Sequence, residues 1–262
     1  MTRSLRNIRK FGISTYLSKK LYAAAPQFYM RRFGGSDTGF TKTAYGVEMA
    51  ENWGDATFRM CVFGQHGAVL SDLLTGIQTP FFFMDVGSNQ GLYALIAASN
   101  PHCTGVLAFE PVAETFDILT RNIRNSEFHE KITPVQAAIS SEAGTAEIRY
   151  NDDHSGGATL ATANTKGARR ETITVIAADG IAPYLPPDVA LIVKVDVEGY
   201  EAIVLPELLK LCAADRISQI FFEVDLRWLD YDALERQLRL AGFSRFDRSG
   251  GSRHFDVLAQ RG

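Results

Sequence analysis

The sequence predicts a doubly wound α/β domain built on a mostly parallel sheet, and three observations carry that reading. Short uninterrupted apolar runs, such as Phe81-Phe82-Phe83-Met84-Asp85-Val86, have the character of strands buried on both faces. From residue 81 onward such runs alternate with helical stretches through short connections. The first run then opens, through Gly87-Ser88-Asn89-Gln90-Gly91, directly onto a helical stretch.

Residues 1–42 form a basic helical arm ending at Gly34-Gly35, and residues 43–80 a hairpin and helix extension packed on the main domain. Alternation around Asn52-Trp53-Gly54-Asp55 predicts strands at Thr41–Met49 and Thr57–Phe63, and a short helix follows over 68–76. The main domain, residues 81–262, begins with the strand 81–86 and a helix over Leu92–Ser99. A strand at Val106–Phe109 ends in Glu110-Pro111, and Phe116, Leu119 and Ile123 mark a helix over Val112–Asn125. A third strand covers Ile132–Ile139. Residues 140–180 break the alternation, with strands at Ala146–Tyr150 and Thr172–Ile176 flanking a polar loop, Asn151–Arg170. The pattern resumes with the strand Leu191–Asp196, a helix over Tyr200–Ala213 in which Pro206 opens a second segment, the strand Ile220–Val224 and a helix over Tyr231–Ala241. Strands at Phe243–Phe246 and Phe255–Ala259 close the sheet as an antiparallel hairpin, making seven strands.

Composition narrows the function. The chain has 262 residues, 46% hydrophobic and 22% charged, and no apolar run approaches the roughly 18 residues of a membrane span. Lys19-Lys20 interrupt what would be the apolar part of a secretory signal. Cys61, Cys103 and Cys212 are too widely spaced for a metal motif or a disulfide framework, which fits a reducing cytoplasmic setting. The net charge of −3 conceals nine Lys/Arg against one acid in residues 1–42. That arm reads either as a solvated helix on its own domain or as a cationic amphipathic helix, with Leu5, Ile8, Tyr16, Leu17 and Leu21, touching an anionic inner-membrane surface through residues 1–25. An acidic body behind it disfavours nucleic acid as a partner. Self-association stays open.

In an open α/β sheet, ligands bind at the carboxyl ends of the strands where the strand order reverses. The loop Gly87–Gly91 lies at that edge. Asp85 is suited to hold the loop or to accept from a ligand amino group, and Glu110, at the second strand end, to accept from ribose hydroxyls. A dinucleotide site is disfavoured, because Asn89 stands where the second glycine of Gly-x-Gly-x-x-Gly would be. An NAD-dependent oxidoreductase and a non-catalytic cofactor- or nucleotide-binding module are the competing classes.

Asp85-Val86-Gly87-x-Asn89-x-Gly91, then Phe109-Glu110-Pro111, then Asn122, then Lys194-Val195-Asp196-Val197-Glu198-Gly199-Tyr200-Glu201, resembles the FkbM family of S-adenosylmethionine-dependent methyltransferases. The resemblance runs from about Phe82 to Phe246 and leaves the first 80 residues uncovered. It implies a Rossmann-like class I methyltransferase fold, S-adenosyl-L-methionine as cofactor, and transfer to a hydroxyl of a sugar, glycolipid or polyketide. Asp85, Gly87, Asn89 and Gly91 would line the methionine end and Glu110 the ribose, with Ser88, Pro111, Asn122 and Asp196 completing the cofactor set. Ser88 and Gln90 depart from the Ala and aliphatic residues common in the family.

Methyl transfer needs alignment, exclusion of water and a base for the acceptor proton. Asp196 and Glu198 end one strand, Glu223 and Asp225 the next, so these carboxylates are expected to converge; Asp196, Glu198 and Glu223 are the candidate bases. Asp196, Glu223 and Asp225 are the set that would hold a divalent cation, although no metal is assigned. Glu201 reads as a surface or capping acid, and Lys194 as either a buried, paired lysine or one that snorkels outward. His154, in the glycine-rich loop, is a further candidate base. His66, His102, His129 and His254 have no constellation around them in sequence.

Overall fold

The computed structural model describes residues 3–33, 36–151, 154–159 and 169–262, and the side chains of 13–29, 36–150, 155–157 and 169–262. Gly34-Gly35 and the centre of the polar loop lie outside the described residues. In chain order the elements are α1 (Arg3–Ala24), α2 (Pro26–Phe33), β1 (Phe40–Lys42), β2 (Glu48–Ala50), α3 (Ala56–Val62) and α4 (Val69–Gly76). They continue with β3 (Phe81–Val86), α5 (Leu92–Ser99), β4 (Cys103–Phe109), α6 (Ala113–Asn125) and β5 (Ile132–Val135). Next come β6 (Ala138–Ile139), β7 (Gly144–Asn151), β8 (His154–Thr159), β9 (Arg169–Ile176), α7 (Ala178–Ile181) and β10 (Ala190–Val195). The chain closes with α8 (Glu201–Leu208), β11 (Ile217–Asp225), α9 (Tyr231–Leu240), β12 (Phe243–Gly250) and β13 (His254–Arg261).

Seven strands form the main sheet in the order β12-β13-β11-β10-β3-β4-β5. The five from β11 to β5 run parallel, and β13 pairs antiparallel with both β11 and β12. All six residues of β3 are buried, because helices cover both faces of the sheet. Phe82, Met84 and Val86 pack toward α8 and α9, whereas Phe81 and Phe83 pack toward α5, α6 and the extension. The strand order reverses between β3 and β10, which puts the switch point beside the Gly87–Gly91 loop. Among the described residues no helix is long and apolar enough to cross a membrane.

Five features differ from the sequence expectation. The hairpin is β1–β2, turning where Thr43 N donates to Val47 O at 2.8 Å, and not around Asn52–Asp55. Thr57–Phe63 is the helix α3: Asp55 Oδ1 accepts from Phe58 N, and Phe58, Cys61 and Val62 are buried at helical spacing. The third strand breaks in two where Ala137 N donates to Val135 O, sending β6 away from the main sheet to pair with β9 in a small sheet ordered β6-β9-β7-β8. The polar loop itself contains β8, paired antiparallel with β7. Finally, α8 ends at Leu208, short of Ala213, with Pro206 inside it and not at the start of a second segment.

The extension shares the main core. Tyr22 from α1 and Tyr29 from α2 pack with Trp53 and Phe63, and Phe58, Cys61 and Leu70 join the cluster that includes α5.

Candidate active site

β3 delivers the chain into the loop, which both backbone and side chains hold. Gly87 N and Ser88 N both donate to Phe109 O, and Ser88 Oγ does so at 3.1 Å. Gly87 has φ +73°, and a Cβ there would stand 2.0 Å from Asp196 O, so the approach of β3 to β10 needs a glycine. Gly91, at φ +91°, begins α5, and its Cβ would meet Leu119 Cδ1 at 2.5 Å. Glu110 reaches back to the loop: Oε2 accepts from Asn89 N and Oε1 from Val112 N, both at 3.0 Å. Burial pushes its carboxyl up to about 7.

Lys194 is the buried, paired lysine. It is 4% exposed, and its Nζ lies 3.3 Å from Asp85 Oδ1, 3.6 Å from Asp196 Oδ2 and 2.5 Å from Gly87 O, to which it donates. Burial works against its charge, but the charges of Asp85, Asp196 and Glu110 outweigh burial and raise its pKa. One ammonium thus ties the ends of β3 and β10 to the loop.

Next to it on the same edge, Asp196, Glu198 and Glu223 gather, with ligand-capable oxygens all within 4.8 Å of one another. Hard cations accept such oxygen donors. Glu198 occupies φ +52°, one of three non-glycine residues with positive φ among the described residues; Asn89 in the loop is another. The turn behind Glu198 is set by Glu201, which is buried and whose carboxylate accepts from Val197 N and Gly199 N. Burial, reinforced by the charges of Asp196 and Glu223, pushes Glu198 up to about 9. Burial and Asp196 push Glu223 up to about 7, against a hydrogen bond from His254.

Loop and carboxylates border one cavity of about 790 Å³. Of the residues expected in the cofactor set, Gly87, Ser88, Asn89, Glu110, Pro111 and Asp196 line it. Asp85, Gly91 and Asn122 support the loop without forming its wall: Asp85 is fully buried against Lys194, and Asn122 Nδ2 donates to Gln90 O at 2.7 Å. Asp196, Glu198 and Glu223 all line the cavity. Asp225 does not join them, because its carboxylate is held by Arg227; the acids brought together are Asp196, Glu198 and Glu223. His154 opens β8, but its side chain lies outside the described residues. His254 does have a constellation: its Nε2 lies 2.5 Å from Glu223 Oε1, and Asp256 lines the cavity beside it. Sequence spacing could not show this, since the pairing of β13 with β11 sets it. Asp55, Thr57, Gln90, Tyr93 and Ser155 are also unanticipated at or beside the cavity; Gln90, inside the loop motif, was the signal within reach.

The family model for the FkbM methyltransferase domain matches residues 85–245, more than half of the chain. The chain belongs to the FkbM methyltransferase family. Its FkbM domain runs from Asp85 in β3 to Arg245 in β12, so it holds the loop, Glu110 and the three carboxylates but neither the extension nor His254. Similarity extends to methyltransferase sdnD of Sordaria araneosa, 33% identical over 79 residues, covering 30% of each chain. It extends also to hexuronic acid methyltransferase AglP of Haloferax volcanii, 33% identical over 126 residues, covering 46% of this chain and 47% of the relative. The FkbM chain therefore aligns with less than half the length of either relative. Among solved structures, the METTL16 methyltransferase domain is similar at 13% identity, with a TM-score of 0.48, over 94% of this chain and 78% of that one.

Proposed function

We propose that this FkbM chain is an S-adenosylmethionine-dependent O-methyltransferase acting on a hydroxyl of a sugar or glycolipid. The observation that carries the proposal is that one cavity is lined both by Gly87–Gln90 of the loop with Glu110 and by Asp196, Glu198 and Glu223. The site fits the cofactor. Glu110 keeps a second acceptor direction on each carboxylate oxygen for ribose hydroxyls, and the loop glycines let backbone approach the aminoacyl end. Bound there, S-adenosylmethionine supplies a methyl group already activated on a sulfonium. The chain's own task is to align the acceptor oxygen with that methyl, keep water out and take the hydroxyl proton as the new C–O bond forms.

Glu223 is the proposed base. Burial raises both carboxyls, and Glu198 is raised further by the charges of Asp196 and Glu223, so Glu223 keeps the larger ionised share with which to accept a proton and Glu198 is the better placed to donate to the acceptor. The similarity to a hexuronic acid methyltransferase supports a sugar as acceptor over a polyketide.

Calorimetry with S-adenosylmethionine, S-adenosylhomocysteine and NAD tests the cofactor. Binding of both methionine derivatives and not of NAD is expected; binding of neither sinks the proposal.

A further inference from the structure

The extension and the loop meet at a buried polar junction whose extension side, Asp55 and Thr57, lies outside the matched family span. Asp55 is 1% exposed. Its Oδ1 accepts from Phe58 N at 2.8 Å and from Gln90 Nε2 at 2.9 Å, and its Oδ2 accepts from Ser155 N at 2.7 Å. Beside it, Thr57 Oγ1 accepts from Gly156 N at 3.0 Å. Ser155 Oγ donates to Asn89 Oδ1 at 3.0 Å and accepts from Gln90 Nε2 at 3.2 Å. Three segments far apart in sequence, the start of α3, the loop and β8, converge on one carboxylate. A second tie runs parallel to it: Asn122 Oδ1 accepts from Ala50 N at 2.6 Å, and its Nδ2 donates to Gln90 O.

We propose that Asp55 is a positioning residue that clasps β8 against the loop through Gln90, so that the extension completes the cofactor-side wall of the cavity. The consequence for ligand binding rests on the cofactor assignment above. Thr57, Gln90, Ser155 and Gly156 all line the cavity, which places the clasp in its wall. A buried carboxylate is acceptor-only, so its neighbours must present donors. This requirement turns the Gln90 NH₂ toward Asp55 and Ser155. It leaves Gln90 Oε1 buried without a donor among the described residues, an acceptor suited to a ligand ammonium or hydroxyl. It also accounts for the departure at position 90, because an aliphatic side chain could bridge neither Asp55 nor Ser155.

The full chain is compared with Asp55→Asn, Gln90→Leu and the double variant. Amide hydrogen exchange at Ser155 and Gly156 is expected to speed up about tenfold in Asp55→Asn, where an amide NH₂ meets one of the three donors. Each single variant should raise the Kd for S-adenosylmethionine about tenfold, with the effect falling on the cofactor KM and not on kcat. The double variant should lose no more than about twofold beyond the weaker single, since both break one junction. Gln90→Leu leaves the α3 cap intact and keeps the test open if Asp55→Asn fails to fold. Exchange rates at Ser155 and Gly156 that match the wild type, or losses that multiply in the double variant, overturn the clasp. A wild-type chain that binds neither methionine derivative overturns the cofactor assignment and the clasp's service to it, while the exchange rates still decide whether the clasp exists.

Discussion

His254, on β13, closes on Glu223, on the neighbouring antiparallel β11, with Nε2 2.5 Å from Oε1. That contact holds down the pKa of a carboxyl which burial and Asp196 drive upward. Removing the imidazole by His254→Ala should therefore raise the Glu223 pKa further. If Glu223 is the base, the rising limb of kcat/KM against pH moves to higher pH. A limb that stays in place, in a variant still active, removes Glu223 from the role. Glu223→Gln should lower kcat about 10²- to 10⁴-fold at saturating cofactor, and more than Glu198→Gln.

Stability should fall as the solution turns alkaline. Glu110, Glu201 and Glu223 sit near 7 in the folded chain and Glu198 near 9, all above their ordinary value of 4.5, mainly through burial. The folded state thus binds more protons than the unfolded one across this range. What these groups contribute is fully present below about pH 4.5 and is lost as pH rises through 7 and, for Glu198, through 9. A thermal midpoint that declines from pH 5 to pH 9 is expected, with Glu198→Gln flattening the upper part. A midpoint that climbs over this window contradicts the assignment.

Lys194→Met leaves Asp85 buried without its cation. A loss of about 3–5 kcal/mol in denaturant unfolding is expected. Adding Asp85→Asn to that variant should restore much of the loss, since no bare charge then remains in the core. An equal loss in both variants would mean that packing, and not charge, sets the effect.

Gly87→Ala forces a Cβ to within 2.0 Å of Asp196 O at a left-handed φ. It should destabilise the fold by about 2–4 kcal/mol and abolish cofactor binding. Alanine at Gly54, where no atom lies within 4 Å of the added Cβ, serves as the control and should be near neutral.

The sequence by itself determined the sheet. Continuous apolar runs need burial on both faces, and only a helix-covered parallel sheet provides it, so Phe81–Val86 and Leu191–Val195 were legible as strands without any contact being known. The placement of the loop glycines and Glu110 was legible for the same local reason: they stand at strand ends. Around Asp55 local pattern misled, because Thr57–Phe63 alternates as a strand would until Asp55 caps Phe58 N and turns it into a helix. What only the tertiary structure decided are the meetings between distant segments. Register along β11 and β13 brings His254 to Glu223; burial selects Asp85 as the partner of Lys194; Arg227 withdraws Asp225 from the carboxylate cluster; and Asp55 gathers Gln90 and Ser155 from 35 and 100 residues away. Periodicity reports which face of an element is buried, but the partner across that face is set by how the elements pack, and the site is made of such partners.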